Sequence, residues 1–134
     1  MAVVRLEFTP EPAHVRTVRL VGVAVARRAG VADDQLDEVR LAIGEACARA
    51  VARHQRQGIR DAIEVAFSDG DRYLVKVIDH AVSEPLFTAD DDEQQITIDV
   101  SASLLQGLVK DLKVTPLAKG TEVRMAWPVK RRSR

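Results

Sequence analysis

Along the chain the spacing of apolar positions changes several times, and each change marks an element. Val4, Leu6 and Phe8 alternate with Arg5 and Glu7, the period of a half-buried strand, and the alternation stops at Thr9-Pro10-Glu11-Pro12. Thr9 and the prolines then open a helix predicted over residues 13–28, which Gly30 closes as a C-cap. Val15, Val18, Val21 and Val25 form one stripe on it, and Leu20, Val23 and Ala24 form a second. A helix apolar on two sides is expected to touch its own sheet and another surface. Asp33 or Asp34 is expected to cap a longer helix running to residue 56, with Leu36, Val39, Ile43, Ala46 and Ala50 facing inward. Glu38, Ala42, Glu45 and Arg49 lie along the neighbouring stripe.

In the second half, residues 62–67 and 73–78 read as strands joined by Ser68-Asp69-Gly70-Asp71, whose Asp-Gly step signals a hairpin. Asp79 follows at once. Residues 81–97 are irregular and acidic, with Asp90-Asp91-Asp92-Glu93 as a solvated or partner-binding loop. A helix is predicted over 98–112 and a final hairpin over 114–117 and 122–129, turning at Lys119-Gly120. This order describes helices packed on one face of a mostly antiparallel sheet, a two-layer α/β sandwich of the α+β kind. Residues 1–129 form one domain, and Lys130-Arg131-Arg132-Ser133-Arg134 form a basic tail.

Composition narrows the function classes. A chain of 134 residues supports one core, and 46% apolar with 30% charged residues excludes wholesale disorder. Lys and Arg total 20 against 20 Asp and Glu, so no bulk field favours nucleic acid or a membrane. The single cysteine, Cys47, permits no intramolecular disulfide and fits a reducing compartment. The N-terminus alternates like a strand rather than a signal peptide. The most apolar stretch, residues 18–26, is interrupted by Arg19 and falls far short of the roughly 20 residues of a membrane span. A cytoplasmic protein is expected, and His14, His54 and His80 share no metal-ligand spacing.

Three stretches carry candidate chemistry: Glu45-Ala46-Cys47-Ala48-Arg49-Ala50, Asp79-His80-Ala81-Val82-Ser83 and Gly120-Thr121-Glu122-Val123. In this order and spacing they resemble the GHKL (Bergerat-fold) superfamily of ATP-binding domains, and most closely the RsbW-type anti-sigma factors and serine protein kinases. In that family the first motif is Glu-Ala-x-x-Asn-Ala, with Glu as general base and Asn holding Mg²⁺. Glu45 matches the base, whereas Arg49 stands at the metal position, and a guanidinium has no lone pair for a cation. The second motif is Asp-x-Gly-x-Gly, whose Asp accepts from the adenine amino group; Asp79 matches, but Ala81 and Ser83 replace the glycines. The phosphate-cradling Gly-x-Gly-Leu falls near Asp99-Val100-Ser101, which has no glycine. Gly120-Thr121-Glu122-Val123 keeps the family's Gly-Thr-x-Val, where the threonine lies near adenine.

The resemblance therefore implies a scaffold with its adenine side kept and its metal and phosphate apparatus lost. Phosphoryl transfer depends on positioning and on neutralising phosphate charge, so the leading expectation is a protein-binding regulator akin to an anti-sigma factor, without a cofactor. Two alternatives stand beside it: an active ATP-dependent serine kinase, with Glu45 as base and Arg49 replacing the metal, and a nucleotide sensor without hydrolysis. In either case Asp79, Gly120, Thr121 and Arg49 would surround ATP or ADP, with Mg²⁺ required in the kinase. Read without the family, Glu45 and Arg49 form an i,i+4 pair and Asp79 ends a strand. The implied partners are a sigma factor or a STAS-type antagonist, together with a second copy of the chain as a homodimer. The first strand and helix make partner contacts in the family, which marks Arg16, Arg19, Arg27 and Arg28 as the surface to test.

Overall fold

The structure is a computed structural model that describes residues 2–82 and 105–130. Strand β1 (Val3–Phe8) leads through a 3-10 turn at Pro12–His14 into helix α1 (Val15–Ala29). Pro12 suits the first turn because its missing N–H would have no intrahelical partner there. The helix ends at Gly30, which takes the left-handed conformation at φ 100° and donates to Ala26 O, as the sequence predicts. A second 3-10 turn, Asp33–Gln35, precedes helix α2 (Leu36–Gln57). Here one expectation is corrected: neither Asp33 nor Asp34 makes a side-chain cap. A backbone bond from Gln35 N to Ala32 O starts the turn instead, and both carboxylates sit in its first turn, where they complement the helix dipole.

Strands β2 (Ile63–Ser68), β3 (Arg72–Asp79), β4 (Asp111–Leu117) and β5 (Gly120–Pro128) complete the described elements. The five strands form one sheet in the order β1-β2-β3-β5-β4, every neighbouring pair antiparallel. Alternation along the three central strands sends Ile63, Val65, Phe67, Tyr73, Val75, Val77, Val123, Met125 and Trp127 to one buried face. Both helices pack against that face, α2 supplying Leu36, Val39, Ile43, Ala46 and Ala50 as its pattern predicts. The Tyr73 hydroxyl donates to Gly22 O at 2.6 Å, fixing α1 over the sheet, and burial raises the Tyr73 pKa. At the far end Trp127 Nε1 donates to Glu38 Oε2 at 3.3 Å.

The helix expected over residues 98–112 is shortened. Residues 105–108 are helical and Leu105 and Val109 are buried, but Asp111 already belongs to β4. Seven consecutive residues from Asp111 pair with β5, Leu112 opposite Met125 among them, and this ladder satisfies more backbone groups than a last helical turn would. Lys130 N donates to Gly30 O at 2.9 Å, tying the end of the sheet to the end of α1. The acidic run at 90–93, the Asp99-Val100-Ser101 stretch and the tail residues 131–134 lie outside the described residues. Among the described residues no helix is long and apolar enough to cross a membrane.

The final hairpin depends on one missing methyl group. Gly120 adopts φ 151°, and a Cβ there would lie 1.9 Å from Asp79 O, a backbone atom of β3 that cannot swing aside. Gly120→Ala is expected to destabilise the protein by about 2 kcal/mol or more, through strain and overpacking together. Urea unfolding measures this, and a change within about 0.5 kcal/mol would show that the β3–β5 approach relaxes freely.

Candidate functional site

Strand β3 ends at Asp79, and antiparallel register places Thr121 of β5 directly opposite. Their side chains meet at the edge of the buried face, 2% and 5% exposed respectively. Into the gap comes a residue absent from the three motifs, Arg53 of α2, itself 5% exposed. Its Nε donates to Asp79 Oδ2 at 3.2 Å, and its Nη2 donates to Thr121 Oγ1 at 3.2 Å, to Ala81 O at 3.2 Å and to Val82 O at 3.4 Å. Asp79 Oδ1 accepts from Ala81 N at 3.0 Å. Arg49, one helical turn earlier, brings Nη1 to 3.8 Å from Asp79 Oδ2. The carboxylate and the hydroxyl are thus engaged from within the chain.

The arrangement is consistent with the cost of burying charge. A guanidinium is stable inside only with a paired carboxylate and partners for its remaining donors. Arg53 has both, and no buried side-chain nitrogen or oxygen lacks a partner among the described residues. The next residues of α2 extend the contact. His54 Nε2 accepts from His80 N at 2.9 Å while Nδ1 faces Asp61 O at 3.1 Å, which requires the neutral tautomer with the proton on Nδ1. Gln57 pairs twice with Val82, donating to its O and accepting from its N, each at 2.9 Å. Three residues at the end of α2 therefore hold the backbone of residues 80–82.

Of the residues singled out from sequence, the structure brings Asp79, Gly120, Thr121 and Arg49 together. Glu45 lies elsewhere, in a groove of about 570 Å³ between α1 and α2, with Arg16, Arg19, Val15, Leu41 and Val51 among its lining. Arg19 crosses α2 at Gly44, where a Cβ would come within 2.9 Å of its Cδ. Leu41 is exposed in this groove, and Leu20 is exposed one turn from Arg16. Arg27 and Arg28 sit exposed in the last turn of α1, at its opposite end. Cys47 is fully buried and its thiol is pushed up to about 12 by that burial, with Arg19 pulling weakly the other way. It behaves as a small apolar residue, as read from sequence. Among the described residues no cluster of His, Cys, Asp and Glu could hold a metal ion.

Arg53, His54 and Gln57 are the residues at the end of β3 that the motifs missed. A signal was present: Glu45, Arg49 and Arg53 recur at four-residue spacing, so continuing the stripe one more turn reaches Arg53. Charged residues at such positions are ordinarily assigned to solvent, because unpaired arginine is almost never fully buried.

A one-sided antiparallel sheet with a long helix delivering polar side chains to the end of a central strand is the arrangement that the resemblance to the GHKL scaffold implies. Residues 8–127 match the histidine kinase-like ATPase domain family, and the chain belongs to it. It is similar in fold to the structure of the RsbU and RsbW domains of Rv1364c from Mycobacterium tuberculosis, with 19% identity and a TM-score of 0.70. That similarity covers 100% of this chain and 34% of the other, so the chain spans about a third of that protein's resolved length. No curated protein matches the chain.

Two outcomes follow from the geometry. Arg53→Ala strands a buried carboxylate and is expected to cost about 3–5 kcal/mol in urea unfolding, whereas Arg53→Met combined with Asp79→Leu should recover part of that loss. An additive double variant would show that the pair is not coupled. Burial lowers the His54 pKa below its ordinary 6.5, with the Asp79 carboxylate opposing the shift. The unfolded chain thus takes up a proton that the folded chain refuses, so stability is full above about pH 6.5 and declines as the solution is acidified below it. Urea midpoints between pH 7.5 and 5, in roughly half-unit steps, should fall for the wild type and fall less steeply for His54→Gln.

Proposed function

We propose that this chain is a protein-binding regulator built on a histidine kinase-like ATPase scaffold, acting in the manner of an anti-sigma factor and without phosphoryl transfer. The observation that carries the reading is Arg53 seated across Asp79 and Thr121. An adenine amino group would need the Asp79 carboxylate as acceptor, and both of its oxygens already accept hydrogen bonds from this chain. Mg²⁺ does not fit either. Arg49 and Arg53 bring positive charge to the end of β3 and offer no lone pair to a cation. Glu45, the residue matched to the general base, lines the α1–α2 groove beside Arg16 and Arg19 rather than joining the Asp79 cluster.

The partner face of this reading is α1. Arg16, Arg19 and the exposed Leu41 border the groove, and Leu20 is exposed one turn from Arg16, combining charge with apolar area as protein interfaces do. Arg27 and Arg28 add a second basic site near its C-terminus. A sigma factor or a STAS-type antagonist is the partner class, and a homodimer is the assembly we infer for the free protein.

Calorimetric titration with ATP and ADP, with and without Mg²⁺, should give no heat of binding up to about 1 mM, the concentration that corresponds to roughly −4 kcal/mol. Mg²⁺-dependent binding would restore the serine-kinase reading, and Mg²⁺-independent binding would favour a nucleotide sensor. In pull-downs from cells expressing the chain, reversing Arg16 and Arg19 to Glu should release the bound partner. Retention of every partner by that variant would remove α1 as the docking face.

A further inference from the structure

The outer face of the sheet, turned away from both α1 and α2, carries its charges in rows. Strand register sets Arg5 opposite Ala66, Ala66 opposite Lys76, Lys76 opposite Arg124 and Arg124 opposite Lys113. Residues directly opposite share a face. One line across all five strands therefore holds four cations and one small residue. With neighbouring strands about 4.8 Å apart, that line is roughly 19 Å long.

Like charges placed directly opposite each other destabilise a sheet, and Lys76, Arg124 and Lys113 make two such contacts in succession. The nearest carboxylates on this face, among the described residues, lie in the flanking rows rather than opposite these cations. Among the described residues none of the four cations has an ion pair or a side-chain hydrogen bond. Arg5, Lys113 and Arg124 are exposed and Lys76 is half-buried.

Two features of the same face select the occupant. Two residues along each strand runs a second row, Glu7, Glu64, Ile78, Glu122 and Thr115. Its three carboxylates lie about 7 Å from the basic row and would repel a nucleic-acid backbone, which carries phosphate along its whole length. Among the described residues bases would also lack an aromatic stacking platform, since Phe8, Phe67, Tyr73 and Trp127 are all buried. On the other side of the basic row run Val3, Ser68, Leu74, Ala126 and Asp111, small or apolar except for Asp111, whose carboxylate is paired with Arg72. A polypeptide can match such a surface because it can present acid to one row and apolar or basic side chains to its neighbours.

We propose that the Arg5–Lys76–Arg124–Lys113 row is a docking surface for an extended acidic segment of a protein partner, laid across the strands. The assignment is independent of the α1 face and of whether any nucleotide binds. Fluorescence anisotropy with a labelled peptide of alternating Glu and Ser, about ten residues long and so able to cross the row, tests it on the intact protein. The expected result is binding that weakens several-fold as salt rises from about 50 to 200 mM. Lys76→Gln with Arg124→Gln should lower the affinity several-fold without lowering the melting temperature, because neutralising both side chains removes both like-charge contacts. Arg60→Glu, an exposed charge off the sheet, should bind as the wild type does. If the first variant does not fold, Lys113→Glu on the exposed edge strand should show the same direction of loss. The proposal is overturned if the wild type does not bind the peptide, if the row variants keep full affinity, or if an oligothymidylate of matching length binds more tightly than the peptide.

Discussion

Arg53 ties α2 to the edge of the core, and much of the local structure is arranged around keeping its charge satisfied. A guanidinium buried this deeply needs a carboxylate, supplied by Asp79 at the end of β3, and acceptors for its remaining donors, supplied by Thr121, Ala81 and Val82. Thr121 is in place only because β5 starts opposite Asp79, and that register requires Gly120 to approach β3 without a Cβ. The helix must also stay continuous through its last turn, since His54 and Gln57 hold the same short stretch of backbone. Charge pairing, strand register and helix length thus constrain one another at a single point.

The two faces of the sheet divide the remaining work. The inner face buries a contiguous core of mostly aliphatic side chains under α1 and α2, with Phe8, Phe67, Tyr73 and Trp127 adding bulk. Most of the hydrophobic stabilisation lies there. The outer face has no such cover from the described helices, and it mixes charged, small and apolar side chains. That face contributes little to the core. Its composition is correspondingly free to serve contacts with other molecules.

Much of the fold was legible in the sequence because its signals are local. Alternation in β2 and β3, the Asp-Gly turn between them, the inward stripe from Leu36 to Ala50 and the stop at Gly30 are each set by neighbouring residues. The errors arose where distant partners decide or where a local backbone bond replaces a side-chain cap. Residues 109–112 carry a helical pattern, yet β5 captures Asp111 and Leu112 into its ladder. Asp33 and Asp34 look like caps, yet a backbone turn does that work. At the site, Asp79, Gly120 and Thr121 were recognisable because their motif spacing is short. Arg53 was not, since its burial depends on groups 26 and 68 residues away in sequence.

The Arg53–Asp79 pair also constrains how this chain can change over generations. Each member is buried chiefly against the other, with Arg49 at 3.8 Å a more distant partner for Asp79, so a single substitution at either position leaves a poorly matched buried charge behind. Drift cannot remove the pair one step at a time without passing through a poorly folded intermediate. Chains descended from this one should therefore keep both residues or replace both. Joint retention would mark out the lineage in which an internal arginine holds the end of β3.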